Sequence, residues 1–328
     1  MAPEACGGAL LAPAMRLGYI RRTELVACAS SSIQLSLMKL QIVPASTGVQ
    51  WVQAGLRTFK RQPMALCALF TTYLLCLTLI STISQIFSVI PGIGSFLALL
   101  GPLIALGLLP AISLTMMVAA SEAAHDRRPQ LNLLLVAFRG DRARTRAMIE
   151  LGVFYVMGLL LIIGLSAVFD GGNFANIYLG RTPLTKEIAE TDGFQTAMLA
   201  CMILYLPLSM LFWHAPSLVY WHNVPPVKAL FFSIVACLRN LGAFVVYFLA
   251  WVAVAICLAV AMSLVIGLLS FVLPLGLGFM NGLSLMMAVL LITPFFTSIV
   301  FTFRDCFAPP DASDQASSDS SSINTTVL

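Results

Sequence analysis

The residues from Glu122 to Glu150 read EAAHDRRPQLNLLLVAFRGDRARTRAMIE and hold six of the 18 lysines and arginines in the chain. Two long apolar blocks without a charged residue precede this stretch, and four further apolar blocks follow it. A dense arginine segment between uncharged spans is typical of the cytoplasmic face of a bilayer protein. We call this stretch the arginine segment, and it predicts the orientation of every other span.

Composition excludes an ordinary water-soluble domain. The 328 residues are 59% hydrophobic and only 10% charged, and the mean hydropathy is +0.95. Soluble domains carry about 25% charged residues. A helix needs about 20 residues to cross a hydrocarbon core of about 30 Å, so the uncharged blocks predict six spanning helices. We place these spans at about residues 64–89, 93–120, 150–169, 195–214, 243–273 and 281–303.

A basic-ended amphipathic segment precedes each of three pairs of predicted spans. In residues 46–61, Val49, Val52, Leu56 and Phe59 recur at helical spacing, and residues 131–138 and 227–238 have similar patterns. Amphipathic helices of this kind lie at the membrane surface. The fold class predicted is therefore an all-α membrane protein whose six transmembrane helices form three parallel-repeat hairpins, each preceded by a cytoplasmic-side interfacial amphipathic helix. The three units would be about 46–121, 129–223 and 225–306.

The distribution of basic residues also predicts the cellular location. Only Arg181 and Lys186 of the 18 basic residues fall on the predicted outer side. The excess of lysine and arginine in cytoplasmic loops predicts a multi-pass protein of a bacterial inner membrane with both termini in the cytoplasm.

The two ends of the chain differ from the predicted membrane domain at 38–307. Residues 1–37 show no sustained periodicity, and we expect an unstructured extension that lies upstream of a translation start at Met38. Residues 308–328 are rich in serine and aspartate and predict a disordered tail.

Few residues suggest catalysis or cofactor binding. The eight cysteines include no Cys-x-x-Cys pair, and His214 and His222 have no carboxylate near them in sequence, which argues against a zinc site. No nucleophile with a positioned base, Walker loop or dinucleotide fingerprint is found. Glu122, His125 and Asp126 are best explained as a solvated helix end. We therefore expect no enzymatic activity, no cofactor and no metal.

The candidate functional residues are basic side chains at the predicted membrane surface. Near a membrane surface each attracts anionic lipid with about 1 kcal/mol. The same charges also serve topology, and the segment is too short for a nucleic-acid surface. The predicted contacts to anionic lipid or to an interface are Arg61, Arg127, Arg128, Arg139, Arg142, Arg144, Arg146, Lys228 and Arg239.

Several short motifs resemble a known family. They are Gly48-Val49-Gln50-Trp51, Pro225-Pro226-Val227-Lys228-Ala229, Cys237-Leu238-Arg239-Asn240-Leu241 and Phe303-Arg304-Asp305-Cys306-Phe307. On these residues the chain resembles the uncharacterised multi-span inner-membrane proteins common in betaproteobacteria, related in pattern to the membrane domain fused to some glycerophosphodiester phosphodiesterases. The resemblance covers about residues 41–307. It implies a location and an architecture, and it carries no catalytic residue.

Two functional hypotheses follow from the sequence. The first is a non-enzymatic inner-membrane protein that interacts with membrane lipids or with other membrane proteins, because its spans are uncharged and its surface segments are basic. The alternative is a channel or facilitator for a neutral or lipid-like solute, since Pro102, Pro110, Pro207 and Pro294 should kink the spans. The absence of ionisable side chains within the spans, apart from Glu150 at an end, argues against proton coupling.

Overall fold

A computed structural model describes residues 40–179, 181–272 and 276–307, which form helices and turns without a strand. Residues Gln41–Cys306 form one compact unit. The predicted extension at 1–37 and the predicted tail at 308–328 lie outside the described residues.

The helices are α1 Thr47–Arg61, α2 Pro63–Ile86, α3 Gly94–Gly107, α4 Leu109–Ala124, α5 Arg142–Asp170, α6 Asn173–Tyr178, α7 Lys186–Ala189, α8 Asp192–Trp213, α9 Ala215–His222, α10 Pro226–Arg239, α11 Leu241–Val272 and α12 Leu277–Cys306.

Six helical stretches of the described residues are long and apolar enough to cross a membrane, which confirms the predicted number of spans. They are Pro63–Val89, Gly94–Ala124, Arg142–Asp170, Asp192–His222, Leu241–Leu269 and Gly278–Cys306.

The second span is interrupted at Leu108, between α3 and α4. Pro110 lies in the first turn of α4, a position where a helix tolerates the missing N–H, whereas a helix continuing unbroken from α3 would lose a hydrogen bond there. Pro102 is accommodated inside α3. Of the two prolines that predict a kink in the second span, Pro110 is the one beside the observed break.

Helix α1 packs against both α11 and α12 through its smallest residues. A Cβ atom at Gly48 would overlap the Ala243 carbonyl oxygen, and one at Gly55 would lie 2.8 Å from the Ser298 Cα. Trp51 is 1% exposed, and its Nε1 donates to the Asp305 carboxylate at 2.7 Å. Val52 is 4% exposed and Val49 is 41% exposed, and the interfacial amphipathic character of this helix stays a prediction. The buried face is set by close backbone approach as much as by apolar side chains.

Asn240 ties the two ends of the compact unit together. Its Oδ1 accepts from the Val43 backbone N–H at 2.8 Å, and its Nδ2 donates to the Gln41 and Ala236 carbonyls, both at 3.0 Å. The Gln41 N–H in turn donates to the Cys306 carbonyl at 3.0 Å. Residues 41–43 are thereby held between the start of α11 and the end of α12. We call this arrangement the Asn240 clasp.

The three predicted repeat units differ in their packing. Leu131–Phe138 form a 3₁₀ helix rather than an amphipathic α-helix, and the Tyr73 hydroxyl donates to its Leu134 carbonyl. Helix α2 packs on α3 and α5 packs on α8, whereas α11 and α12 both pack on α1. The threefold repeat of hairpins with preceding interfacial helices stays a prediction.

Candidate lipid-binding surface

Contacts between distant segments gather the basic residues at one end of the helix bundle. The Arg61 guanidinium donates to the Ala124 carbonyl at 2.8 Å and pairs with the Asp126 carboxylate at 3.2 Å. The Arg304 guanidinium donates to the Ser121 hydroxyl at 2.9 Å. These contacts place the ends of α1, α4 and α12 side by side. We call this region the basic end, and it includes the start of α5, which follows α4 in the chain, and the end of α9, which Arg144 of α5 contacts.

Three arginines of the arginine segment belong to α5 rather than to a loop. The third span was predicted to begin near residue 150, but its helix begins at Arg142. The preceding Asp141 is its N-cap, and the Asp141 side chain accepts from the Ala143 backbone N–H at 3.1 Å. Because Asp141 is a good N-cap, the helix starts two turns earlier than the apolar run alone indicates. Arg144 and Arg146 are therefore held in fixed register on a helix.

The charges at this helix start are unfavourable for the helix itself. The N-terminus of a helix carries a partial positive charge, so each nearby cation destabilises it by about 0.3–1 kcal/mol. Asp141 supplies one negative charge against Arg142, Arg144 and Arg146. An anion bound at this end would remove that repulsion and accept from the arginines.

Two of the three arginines of α5 have side-chain partners. Arg144 donates to the Asn223 side chain at 3.2 Å, and its guanidinium lies 5.2 Å from the centre of the Tyr220 ring, so it joins α5 to the end of α9. Arg146 pairs with Glu150 at 2.8 Å. Within the described part of the chain, Arg142 is exposed and has neither an ion pair nor a side-chain hydrogen bond.

Arg142, Arg146 and the acidic Glu150 line a surface depression that adjoins an apolar trough. Phe138 and Ile149 line both the depression and the trough. The trough has a volume of about 340 Å³ and runs between α3 and α5. Its lining residues are apolar or glycine: Leu103, Ile104, Gly107, Leu108, Phe138, Met148, Ile149, Gly152, Val153, Val156 and Met157.

Two glycines bring the walls of the trough together at the break in the second span. A Cβ atom at Gly152 would overlap the Gly107 carbonyl oxygen, so α3 and α5 touch backbone to backbone there. Small residues permit such close helix approach in membranes. Glycine at positions 107 and 152 is visible in the sequence, but the contact between these two residues is seen only in the structure.

The remaining predicted residues do not line the depression. Arg127, Arg128 and Arg139 are exposed in the arginine segment, outside α5. Lys228 and Arg239 are exposed on α10. Of the nine predicted basic residues, Arg142 and Arg146 are therefore the two that line the depression.

No group of three or more metal-ligating side chains occurs among residues 40–179, 181–272 and 276–307.

A helical unit with six membrane-length spans and a cationic end defines a multi-pass integral membrane protein. The chain is 36% identical over 274 residues to a probable inner membrane protein of Burkholderia thailandensis, a match that covers 82% of this chain and 94% of the relative. At that identity and coverage, the chain belongs to the same family of inner-membrane proteins. No protein-family model and no solved structure matches the chain, and the kinship with the membrane domain of glycerophosphodiester phosphodiesterases stays a prediction.

Proposed function

We propose that the protein is a non-enzymatic inner-membrane component that binds an anionic phospholipid at its basic end. The observation that carries this proposal is the cationic depression of Arg142 and Arg146 joined to the apolar trough. A phospholipid has the same two parts, a negative phosphate and a hydrocarbon chain. The head would lie at the start of α5 and one chain would follow the trough between α3 and α5.

The electrostatics of the depression favour a lipid phosphate over a neutral head. Among the described residues, Arg142 has no ion-pair partner. Arg146 forms an exposed ion pair with Glu150 at 2.8 Å. Exposed pairs of this kind are weak, so a phosphate can compete for the guanidinium. The helix N-terminus adds further attraction for an anion.

Loss of the two arginines should reduce binding of anionic lipid. At about 1 kcal/mol for each cation, the double variant Arg142→Gln/Arg146→Gln should lower affinity for phosphatidylglycerol by about 10- to 30-fold. Native mass spectrometry of the purified protein, titrated with phosphatidylglycerol and with phosphatidylcholine, measures the bound lipid.

The matched control removes two charges from the same end of the bundle without touching the depression. Arg57 and Lys60 lie on α1, are exposed and do not line the depression. The variant Arg57→Gln/Lys60→Gln should retain the wild-type affinity for phosphatidylglycerol. An equal loss in both double variants would reduce the effect to net charge and contradict a defined site, as would equal binding of the two lipids by the wild type.

We also propose that the basic end lies in the cytoplasm, with Arg181 and Lys186 on the outer side. Alkaline phosphatase is active only outside the cytoplasm, and green fluorescent protein fluoresces when fused on the cytoplasmic side. Alkaline phosphatase fused after Lys186 should be active, and the same enzyme fused after Arg128 should be inactive. Green fluorescent protein at the two positions should give the opposite pattern, and a reversed result for both reporters would overturn the orientation.

A further inference from the structure

Two further cavities with mostly apolar linings lie beside the break in the second span. One has a volume of about 340 Å³ and lies between α4, α5, α6 and α8, and the next has a volume of about 260 Å³. Both are lined by Leu109, Tyr155 and Tyr205, so they adjoin at these residues. Ligand pockets commonly have volumes of about 300–1,000 Å³. We call the two together the tyrosine chamber.

The polar groups of the chamber are neutral. Its lining residues include no aspartate, glutamate, lysine or arginine. The Tyr155 and Tyr205 hydroxyl oxygens lie 3.3 Å apart. Tyr178 also lines the first cavity, and burial raises the pKa of its phenol, so that side chain is uncharged as well.

The tyrosine pair has an unused hydrogen bond. Two phenols carry two protons, and the bond between them uses one. Within the described residues, neither hydroxyl has another partner, so one proton is left to donate into the chamber. Tyr155 is held firmly for this role, because it is 6% exposed and its ring packs edge-on against Phe212 with centroids 5.0 Å apart.

The depth of this pair in the membrane limits what can bind it. Tyr155 lies five residues beyond Glu150, the last charged side chain before the apolar run of α5, which is about 7.5 Å along the helix at about 1.5 Å per residue. A phospholipid keeps its charged head and ester groups near the membrane surface, since moving an ion to the middle of the bilayer is costly. An uncharged lipid has no such anchor and can bring an oxygen acceptor to this depth.

We propose that the tyrosine chamber binds an uncharged lipid through a carbonyl oxygen that accepts from the Tyr155–Tyr205 pair. A diacylglycerol and an isoprenoid quinone both offer this chemistry. The interruption at Leu108 lies next to the chamber, because Leu109 begins α4 and lines both cavities. This site is separate from the arginine depression and uses none of its residues.

The proposal is tested by photolabelling the full-length protein in nanodiscs with a diazirine-bearing diacylglycerol. Peptide mapping by mass spectrometry should find label on Met198 and Met202, which line the chamber on α8. Unlabelled dioleoylglycerol, decylubiquinone and phosphatidylglycerol serve as separate competitors. Displacement by dioleoylglycerol but not by decylubiquinone identifies a glyceride ester carbonyl, and displacement by both shows that the site accepts either carbonyl.

The variant Tyr155→Phe/Tyr205→Phe removes both hydroxyls and keeps both rings. Labelling of Met198 and Met202 should fall about fivefold, as expected for the loss of one hydrogen bond. Tyr205→Phe alone gives a second reading if the double variant is unstable, and Tyr220→Phe at the basic end is the matched control that should label like the wild type. Label that is absent from the chamber, unchanged in both tyrosine variants, or displaced equally by phosphatidylglycerol would overturn the proposal.

Discussion

Replacing Gly48 by alanine is expected to separate α1 from α11 and to destabilise the whole unit. The added Cβ would overlap the Ala243 carbonyl oxygen and would lie 2.6 Å from the Tyr247 backbone nitrogen. Both are backbone atoms, so no side chain can turn aside to relieve the overlap. Overpacking costs about 1–3 kcal/mol in a well-packed core, and here the cost should reach the upper end of that range.

The effect should be visible as a fall in Tm of about 5–10 °C, measured by thermal size-exclusion chromatography in detergent. Gly164 provides the control, because it is an exposed glycine of α5 with no heavy atom within 4 Å of an added Cβ. Gly164→Ala should leave Tm unchanged or raise it slightly, since alanine is a better helix former than glycine. An unchanged Tm for Gly48→Ala would mean that α1 does not pack as the structure shows.

Replacing Asn240 by alanine should open the clasp that joins the two ends of the unit. Asn240 is 2% exposed, and its loss leaves the Val43 N–H and the Gln41 carbonyl without their side-chain partner. Leaving a buried polar group unsatisfied costs about 1–3 kcal/mol. We expect a loss of about 2–4 kcal/mol and faster hydrogen exchange confined at first to residues 41–43.

The neighbouring residue is a close control for the clasp. Arg239 is exposed at the end of α10, one position before Asn240. Arg239→Ala should change the free energy of unfolding by less than about 0.5 kcal/mol, as surface substitutions usually do. Equal effects at both positions would argue for an interface outside the unit rather than for the clasp.

The number of spans was predictable because a bilayer demands about 20 apolar residues for each crossing. The break at Leu108 was partly predictable, since Pro110 removes a backbone donor. The start of α5 was placed too late, because hydropathy finds the hydrocarbon region and not the helix. Asp141 was the local signal that would have extended the helix to Arg142.

Features that depend on two helices at once could not be read from the chain. The closeness of Gly107 to Gly152, and of Tyr155 to Tyr205, depends on the register between neighbouring helices. Hydrophobic periodicity describes one helix at a time and contains no such register. For the same reason the basic residues could be predicted as a set, whereas the pair that faces the trough could not.

The most direct measurement of the central claim is a crystal structure of the protein grown from a lipid phase that contains phosphatidylglycerol. We expect lipid density with its phosphate within hydrogen-bonding distance of the Arg142 guanidinium and one acyl chain between α3 and α5, alongside Val153 and Val156. A trough that holds no ordered lipid, with Arg142 turned to solvent, would contradict the claim.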